Sequence, residues 1–252
     1  MKFFFTFFIH FLLSREINGK FSVMGFWGDF ISLLYPRLCA ACGNTLWVRE
    51  EVICTHCDFH LPKTFFHLDP ENPVHRIFWG RIPLEGACAM YYFQKWNLVQ
   101  QMIHELKYRG RREVGVTLGR KYGLDLKSTP FIANAGIIIP VPLHYKKQRK
   151  RGYNQSEVFA SGLSFSLGIP MDARILVRTR ASETQTRKSR FSRWQNVSEI
   201  FRVEDPATLL DRHVLLVDDV ITTGATLEAC AAALMSVPGV RISIAAIAAA
   251  LR

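Results

Sequence analysis

The chain lacks an apolar run long enough to cross a bilayer as a helix, and it lacks internal repeats and low-complexity segments. A spanning helix needs about 20 apolar residues, which the N-terminal apolar run at residues 3–13 does not reach. The hydrophobic fraction of 49% excludes an intrinsically disordered chain. A length of 252 residues fits one large domain, or an ordinary domain with a small appendage.

Acidic residues are also scarce, with 21 Asp and Glu against 32 Lys and Arg, so that the net charge is +11. This excess favours anionic partners, either phosphorylated small molecules or nucleic acid. The alternative is a basic surface that is only solvated. Local clustering of the cations must therefore decide between them.

The N-terminus leaves two interpretations open. The run at residues 3–13 resembles the apolar core of a signal peptide, but no convincing small-residue cleavage site follows it. Met24 offers a second plausible start. Residues 1–23 are therefore either an over-extended gene start or a weak membrane anchor. Residues 25–35 predict a short amphipathic helix.

Four of the six cysteines, Cys39, Cys42, Cys54 and Cys57, form two C-x-x-C pairs. This spacing is typical of a tetrahedral thiolate site rather than a disulfide framework. Four sulfur ligands leave no open coordination position, so the sequence predicts a structural zinc module within residues 24–62. Reduced thiolates indicate the cytoplasm.

A change of pattern follows the cysteines. Residues 63–82 predict a linker with some packing role, and from residue 83 to 252 apolar strand-like runs alternate with helical spacing. Such alternation predicts an α/β domain with a parallel sheet covered on both faces.

The segment Val214–Thr226 joins a buried strand to a helix and carries the chemistry. Ligands of open parallel sheets bind at the carboxyl ends of strands. The residues that follow the strand offer backbone amides, hydroxyls and a helix N-terminus, which together suit a phosphate; they are Thr222, Thr223, Gly224, Ala225 and Thr226. The adjacent Asp218 and Asp219 suit a vicinal diol and can help to position Mg²⁺. A sugar phosphate satisfies both halves.

This segment resembles the signature of type I phosphoribosyltransferases, and residues 30–250 are similar to the ComF/GntX family, which joins a four-cysteine zinc module to a phosphoribosyltransferase-like domain. The supporting matches are Leu38–Gly43, Leu106–Gly110, Pro140–His144 and Arg151–Gln155. The resemblance implies phosphoribosyl pyrophosphate with Mg²⁺ as ligand. It also implies natural competence, with single-stranded DNA and a helicase-like protein as partners at the cytoplasmic face of the membrane.

Two basic stretches have open interpretations. By the family comparison, Lys147, Arg149, Arg151 and Gly152 belong to a loop that meets pyrophosphate, and the remaining charge can contact a nucleic-acid backbone. Arg187, Lys188, Arg190 and Arg193 lie where the family carries a mobile hood, and cations interleaved with aromatics also suit single-stranded nucleic acid. For both stretches the alternative is a solvated polar loop.

These motifs lead to two main interpretations of function. No residue in the sequence stands out as a catalytic group. The favoured one is a ComF-like protein that binds a phosphoribosyl ligand and acts in uptake of single-stranded DNA. The alternative is an active enzyme that transfers phosphoribosyl from its pyrophosphate to a base or amine. A regulator that senses this ligand without turnover is a weaker third interpretation.

Overall fold

The computed structural model describes residues 36–95, 97–179 and 200–251. Residues 1–23, the helix predicted at residues 25–35 and the predicted hood residues Arg187, Lys188, Arg190 and Arg193 lie outside these ranges. The described residues from Leu38 onward form one compact unit that contains both the cysteine pairs and the sheet.

Within the described residues, four parallel strands form the central sheet in the order β1-β6-β5-β2. Their bounds are β1 Gly86–Tyr92, β2 Ile137–Pro140, β5 His213–Ile221 and β6 Arg241–Ala249. All four consist mainly of buried apolar residues, as expected for strands covered on both faces. The predicted α/β class with a parallel sheet is confirmed. A separate antiparallel ribbon pairs β3 (Leu176–Arg178) with β4 (Phe201–Val203).

Helices connect these strands. In chain order they are α1 Thr55–His60, α2 Pro73–Arg76, α3 Leu98–Tyr108, α4 Arg112–Leu126, α5 Pro130–Ala133, α6 Tyr145–Arg151, α7 Gln155–Leu167 and α8 Ala225–Leu234, with 3-10 turns at Phe66–Leu68 and Ala207–Leu209. The helices α3, α4, α7 and α8 lie in residues 83–252, the part of the chain in which the sequence shows helical spacing. Across the described part of the chain, no helix is both long and apolar enough to cross a membrane.

Strand β5 is longer than the sequence predicts. The apolar pattern ends at Val217, but the pairing with β6 continues through Asp218, opposite Ala246, to Ile221, opposite Ala249. The two aspartates therefore belong to the last part of a strand and not to the loop after it. The register explains the difference, because β6 remains beside β5 and supplies backbone partners to its end.

Helices α4 and α7 cross at very short range. A Cβ atom placed on Gly119 of α4 would lie 2.2 Å from the carbonyl oxygen of Phe159 in α7 and 2.9 Å from the Cα of Gly162. Only residues without side chains permit this approach. The crossing helps to hold α7 in place, and α7 carries Ser156, a residue of the candidate site described below.

The predicted linker at residues 63–82 contributes to the core. It contains α2 and a 3-10 turn, and it buries Val74 and Phe78 completely. Asn72 supports this segment, since its side-chain amide donates to the carbonyl of Ala87 in β1 at 2.8 Å and its Oδ1 accepts from the amide of Val74. The segment thus packs against the sheet, in agreement with the packing role predicted for it. The boundaries predicted for the zinc module, this linker and the α/β domain stay a prediction.

Candidate phosphoribosyl site and cysteine cluster

Residues 222–226, which run from the end of β5 into the first turn of α8, are called the phosphate loop here. Gly224 has φ of +76° and forms the N-cap of α8, a backbone conformation that favours glycine. Because this residue has no side chain, the amides of the first helical turn are not capped by it, and they carry the positive end of the helix dipole. Thr222, Thr223 and Thr226 are exposed around a pocket of about 40 Å³. That volume exceeds the roughly 15 Å³ that one water requires, so the loop lies beside a space that solvent can enter.

Asp218 stands beside this loop and is held in a fixed orientation. Its Oδ1 accepts hydrogen bonds from the hydroxyl of Ser156 at 2.9 Å and from the amide of Asp219 at 2.8 Å. Burial, followed by the neighbouring charge of Asp219, raises the pKa of Asp218 to about 7. Near neutral pH this carboxyl can either donate a hydrogen bond to a hydroxyl or accept one.

Asp219 has a different partner. Lys107, at the end of α3, donates to its Oδ1 at 2.8 Å, and the two side chains are only 18% and 15% exposed. Partial burial reduces the screening of this pair by solvent. The two adjacent acids thus differ in their surroundings, since Asp218 accepts hydrogen bonds from uncharged groups and Asp219 is paired with a cation.

The first basic stretch forms a helix, α6, where the sequence predicts a loop. His144 caps its N-terminus by accepting from the amide of Lys146, and Gly152 ends it with φ of +78°. Lys147 and Arg149 are exposed on this helix. The loop interpretation is wrong because seven residues without a buried side chain give no periodic apolar signal, whereas the two caps define the helix.

Helix α6 nevertheless lies at the carboxyl edge of the sheet, as expected. Pro140 at the end of β2 pairs with Val217 of β5, and the amide of Val141 donates to the carbonyl of Val217 at 2.8 Å. The chain enters α6 four residues later. The cations of α6 therefore follow a strand end next to the one that carries Asp218.

The turn between α6 and α7 supports this edge. Asn154 caps α7, and its side-chain amide donates to the carbonyl of Val141 at 2.9 Å. Tyr153 donates through its hydroxyl to the carbonyl of Leu106 in α3. Tyr153 and Asn154 of the Arg151–Gln155 motif thus join the start of α7 to α3 and to the residue that follows β2.

Aromatic rings and cations meet at the same place. The guanidinium of Arg151 lies 5.3 Å from the centroid of the Tyr108 ring, which is 60% exposed. Tyr145 lies on α6 with Lys146 near its ring. We call this surface the cationic face and define it as Tyr108, Tyr145, Lys146, Lys147, Arg149, Lys150 and Arg151. Such a surface can contact phosphates with its cations and bases with its rings.

The four predicted metal ligands come together. The Sγ atoms of Cys39, Cys42, Cys54 and Cys57 all lie within 4.8 Å of one another, and those of Cys42 and Cys54 are 3.9 Å apart. Tetrahedral zinc with Zn–S bonds of about 2.3 Å requires sulfur separations of roughly 3.8 Å. The geometry therefore fits a metal ion such as zinc.

The tendency to ionise differs among the sulfurs of this cluster. Burial acts against ionisation of Cys39, but backbone amides, led by that of Cys54, lower its pKa to about 7. Burial raises the pKa of Cys54 and that of Cys57. Four thiolates at this spacing need a cation to share their charge. The cluster can hold a metal ion such as zinc, which would act as a fold staple.

Comparisons with known proteins agree with this geometry. The phosphoribosyl transferase domain family matches residues 140–252, a range that contains α6 and the phosphate loop. DNA utilization protein YhgH of Shigella flexneri is 30% identical over 215 residues, 84% of this chain and 86% of the relative. Competence protein F of Haemophilus influenzae is 30% identical over 198 residues, 76% of this chain and 81% of the relative. The chain belongs to the ComF family.

Two more distant similarities were also found. Competence protein ComFC of Bacillus subtilis is 25% identical to this ComF-family chain over 74% of it and 79% of the relative. Among solved structures, the allosteric regulatory enzyme of purine biosynthesis gives a TM-score of 0.39 at 21% identity, over 56% of this chain and 29% of that one.

Sequence reasoning missed two residues of this candidate site. Lys107 and Ser156, which contact Asp219 and Asp218 respectively, were not among the predicted site residues. Lys107 lies in the Leu106–Gly110 motif that carries the family resemblance, and this was the available signal. Ser156 follows an N-cap asparagine and looks like an ordinary first-turn residue, so only the packing of α7 on the sheet shows its role.

Proposed function

We propose that this chain binds phosphoribosyl pyrophosphate or a related sugar phosphate and acts in the handling of single-stranded DNA during natural competence. The observation that carries the proposal is the position of Asp218 and Asp219 on the strand that leads directly into the phosphate loop. The diol of a ribose would bind the carboxylates, and its 5′-phosphate would bind the amides of residues 222–226. The names of the YhgH and competence relatives support the biological half.

Mg²⁺ fits this assignment through the chemistry of its donors. Mg²⁺ prefers oxygen ligands and is commonly held by one or two carboxylates together with substrate phosphates. Asp218 and Asp219 offer such oxygens beside the place where a pyrophosphate would meet α6. The ion would neutralise part of the charge of the pyrophosphate. The protein's share is to orient the ribose through the acids and to hold the phosphate on the loop.

Zinc in the cysteine cluster would be structural under this proposal. All four sulfurs would be ligands, so no coordination position would remain for a substrate. A reduced four-thiolate site supports a cytoplasmic location. There the protein would meet incoming single-stranded DNA at the inner side of the membrane.

Single-stranded DNA would bind the cationic face. The exposed ring of Tyr108 under Arg151 favours this assignment, because an aromatic platform beside cations suits unpaired bases and their phosphates. The predicted hood residues Arg187 and Lys188, which lie outside the described residues, would offer further cations to the DNA. The ribose site and the DNA surface would then be adjacent but separable.

One set of measurements tests both sites. We would measure binding of phosphoribosyl pyrophosphate with Mg²⁺ by calorimetry, and binding of a fluorescent single-stranded oligonucleotide by anisotropy, on the same preparation. The Asp218→Ala/Asp219→Ala variant should lose the sugar phosphate and keep DNA. The Lys147→Gln/Arg149→Gln variant should weaken DNA binding and reduce its dependence on log salt by about 1 to 2.

Matched controls remove charge elsewhere. Glu85→Ala deletes an exposed carboxylate just before β1, at the amino edge of the sheet, and should bind both ligands normally. Arg174→Gln removes a cation that is 91% exposed outside the cationic face. Normal binding of phosphoribosyl pyrophosphate by the double aspartate variant would refute the ribose site.

Turnover is a second candidate, favoured by the cations of α6 next to the phosphate loop. Released pyrophosphate carries several negative charges, and Lys147 and Arg149 would stabilise them as the glycosidic bond breaks. Release of labelled pyrophosphate that requires both the protein and an added base or amine would establish transfer. Binding without release would support a phosphoribosyl-binding factor.

A further inference from the structure

The phosphate loop rests on a short segment that precedes the sheet. This segment, residues 77–81, follows α2 and lies more than 140 positions before the loop in the chain. A Cβ atom on Gly224 would lie 2.8 Å from Cε1 of Phe78 and 3.0 Å from Cγ2 of Ile77. Phe78 is fully buried, so it cannot move aside easily. The loop is therefore seated against a rigid surface.

Arg81 joins this segment to the phosphate loop by hydrogen bonds. Its Nη1 donates to the carbonyl of Thr223 at 3.0 Å and to that of Ile77 at 3.2 Å, and its Nη2 donates to Glu228 in the first turn of α8. One guanidinium thus contacts both the backbone of the loop and the helix that follows it. The planar fork of arginine suits such a three-way contact, which a lysine cannot reproduce.

The contact with Thr223 orients the next peptide group. Because a trans peptide is planar, the N–H of Gly224 points opposite to the carbonyl of Thr223. Arg81 holds that carbonyl on its own side of the loop. The residues that line the pocket come from 218–227, and none of residues 77–81 is among them. The N–H of Gly224 is thus directed away from Arg81, toward the side on which an anion would bind.

The contact with Glu228 has an electrostatic effect. A carboxylate in the first turn of a helix uses the same positive helix end that a bound phosphate needs. It also repels the phosphate, and the side chain of Glu228 is only 25% exposed, which limits screening. Arg81 neutralises this charge.

We propose that Arg81 is a positioning residue for the phosphate loop, which fixes the peptide between Thr223 and Gly224 and cancels the charge of Glu228 without touching the ligand. This inference rests on the proposed sugar-phosphate site. Fixing the peptide is a geometric effect and cancelling the charge of Glu228 is an electrostatic one. Different variants therefore test the two effects.

The test uses the full chain and ribose 5-phosphate as the probe. Arg81→Gln should bind the probe about tenfold more weakly than wild type. Arg81→Gln/Glu228→Gln should recover part of that loss, because the unneutralised carboxylate is gone. Arg81→Lys, which keeps the charge and is the conservative variant, should fall between wild type and Arg81→Gln. Thermal unfolding of each variant without ligand identifies any general loss of fold.

A second readout separates positioning from stability. In ¹⁵N-edited spectra, ribose 5-phosphate should shift the Gly224 amide of the wild type, and the shift at equal occupancy should be much smaller in Arg81→Gln. Wild-type affinity and an unchanged Gly224 shift in Arg81→Gln would overturn the inference and leave the ribose site intact. No shift in residues 222–226 of the wild type would overturn both.

Discussion

Lys107 and Asp219 are 112 positions apart in the chain, yet the Nζ of the lysine lies 2.8 Å from the Oδ1 of the aspartate. The pair joins the end of α3 to the end of β5 at the edge where the phosphate loop begins. It leaves Asp218 as the acid without a cation partner of its own at this distance, among the contacts that the described ranges show. The charge of the ribose site therefore depends on one lysine.

Removal of this lysine should weaken binding of the sugar phosphate. Lys107→Met leaves two adjacent acids facing an anionic ligand. If the lost lysine charge lies about 7 Å from the bound phosphate, an effective dielectric constant near 40 makes their attraction roughly 1 kcal/mol. We expect a loss of affinity of about fivefold to tenfold in calorimetry with ribose 5-phosphate. Lys127→Met, at an exposed position after α4, is the control. Tighter binding by Lys107→Met would show instead that the lysine only blocks the aspartate.

The raised pKa of Asp218 predicts a dependence of stability on pH. The folded state holds a proton up to about pH 7, whereas the ordinary pKa is 3.8, so this residue loses stabilisation as the pH rises from about 4 through 7. Asp218→Asn keeps an oxygen that can accept from Ser156 and carries no charge. At pH 8 it should exceed the wild type in free energy of unfolding by on the order of 2 kcal/mol.

Urea titrations at pH 4 and pH 8 check this expectation. The advantage of Asp218→Asn should nearly vanish at pH 4, where the wild-type carboxyl is protonated as well. Asp219→Asn, which deprives Lys107 of its partner, should show no such gain at pH 8. An Asp218→Asn variant that is equally destabilised at both pH values would contradict the assignment of the proton.

The cysteine cluster predicts a selective loss of metal. Cys42 is exposed and its removal creates no core cavity, so any effect of Cys42→Ser should come from the lost ligand. We expect purified wild type to contain about one zinc per chain and Cys42→Ser to contain much less, with a lower unfolding temperature. Cys230→Ala alters a buried cysteine outside the cluster and should retain the metal. Equal zinc in both variants would exclude the cluster as the site.

The sequence predicts those parts of the molecule whose signal is local. The buried run Val214–Val217 and the polar segment after it indicate the candidate ribose site, and two C-x-x-C pairs indicate the cysteine cluster. The contacts of Lys107 and of Arg81 join residues more than 100 positions apart. No periodicity or spacing encodes them, because they depend on how α3 and α2 pack on the sheet.

Helix α6 shows a second limit of sequence reasoning. Its seven residues bury no side chain, so apolar spacing could not reveal it. The capping residues His144 and Gly152 were visible in the sequence, but a cationic run between them looks the same as a solvated loop. The glycines of α4 are a similar case, since the close crossing they permit depends on the partner helix.

That crossing gives a prediction of stability with an internal control. A methyl group at Gly119 would meet the backbone carbonyl of Phe159 at 2.2 Å, and backbone in a helix cannot yield. At Gly115, one turn earlier in α4, the nearest atom is the side-chain Cγ1 of Val158 at 2.9 Å, which can shift. Both changes gain up to about 1 kcal/mol of helix propensity.

Overpacking should leave Gly119→Ala destabilised by about 2 kcal/mol or more, and Gly115→Ala by less than about 1 kcal/mol, in urea unfolding. Because α7 carries Ser156, the Gly119 variant should also bind ribose 5-phosphate more weakly. Equal stability of the two variants would show that α4 and α7 are not in such close contact.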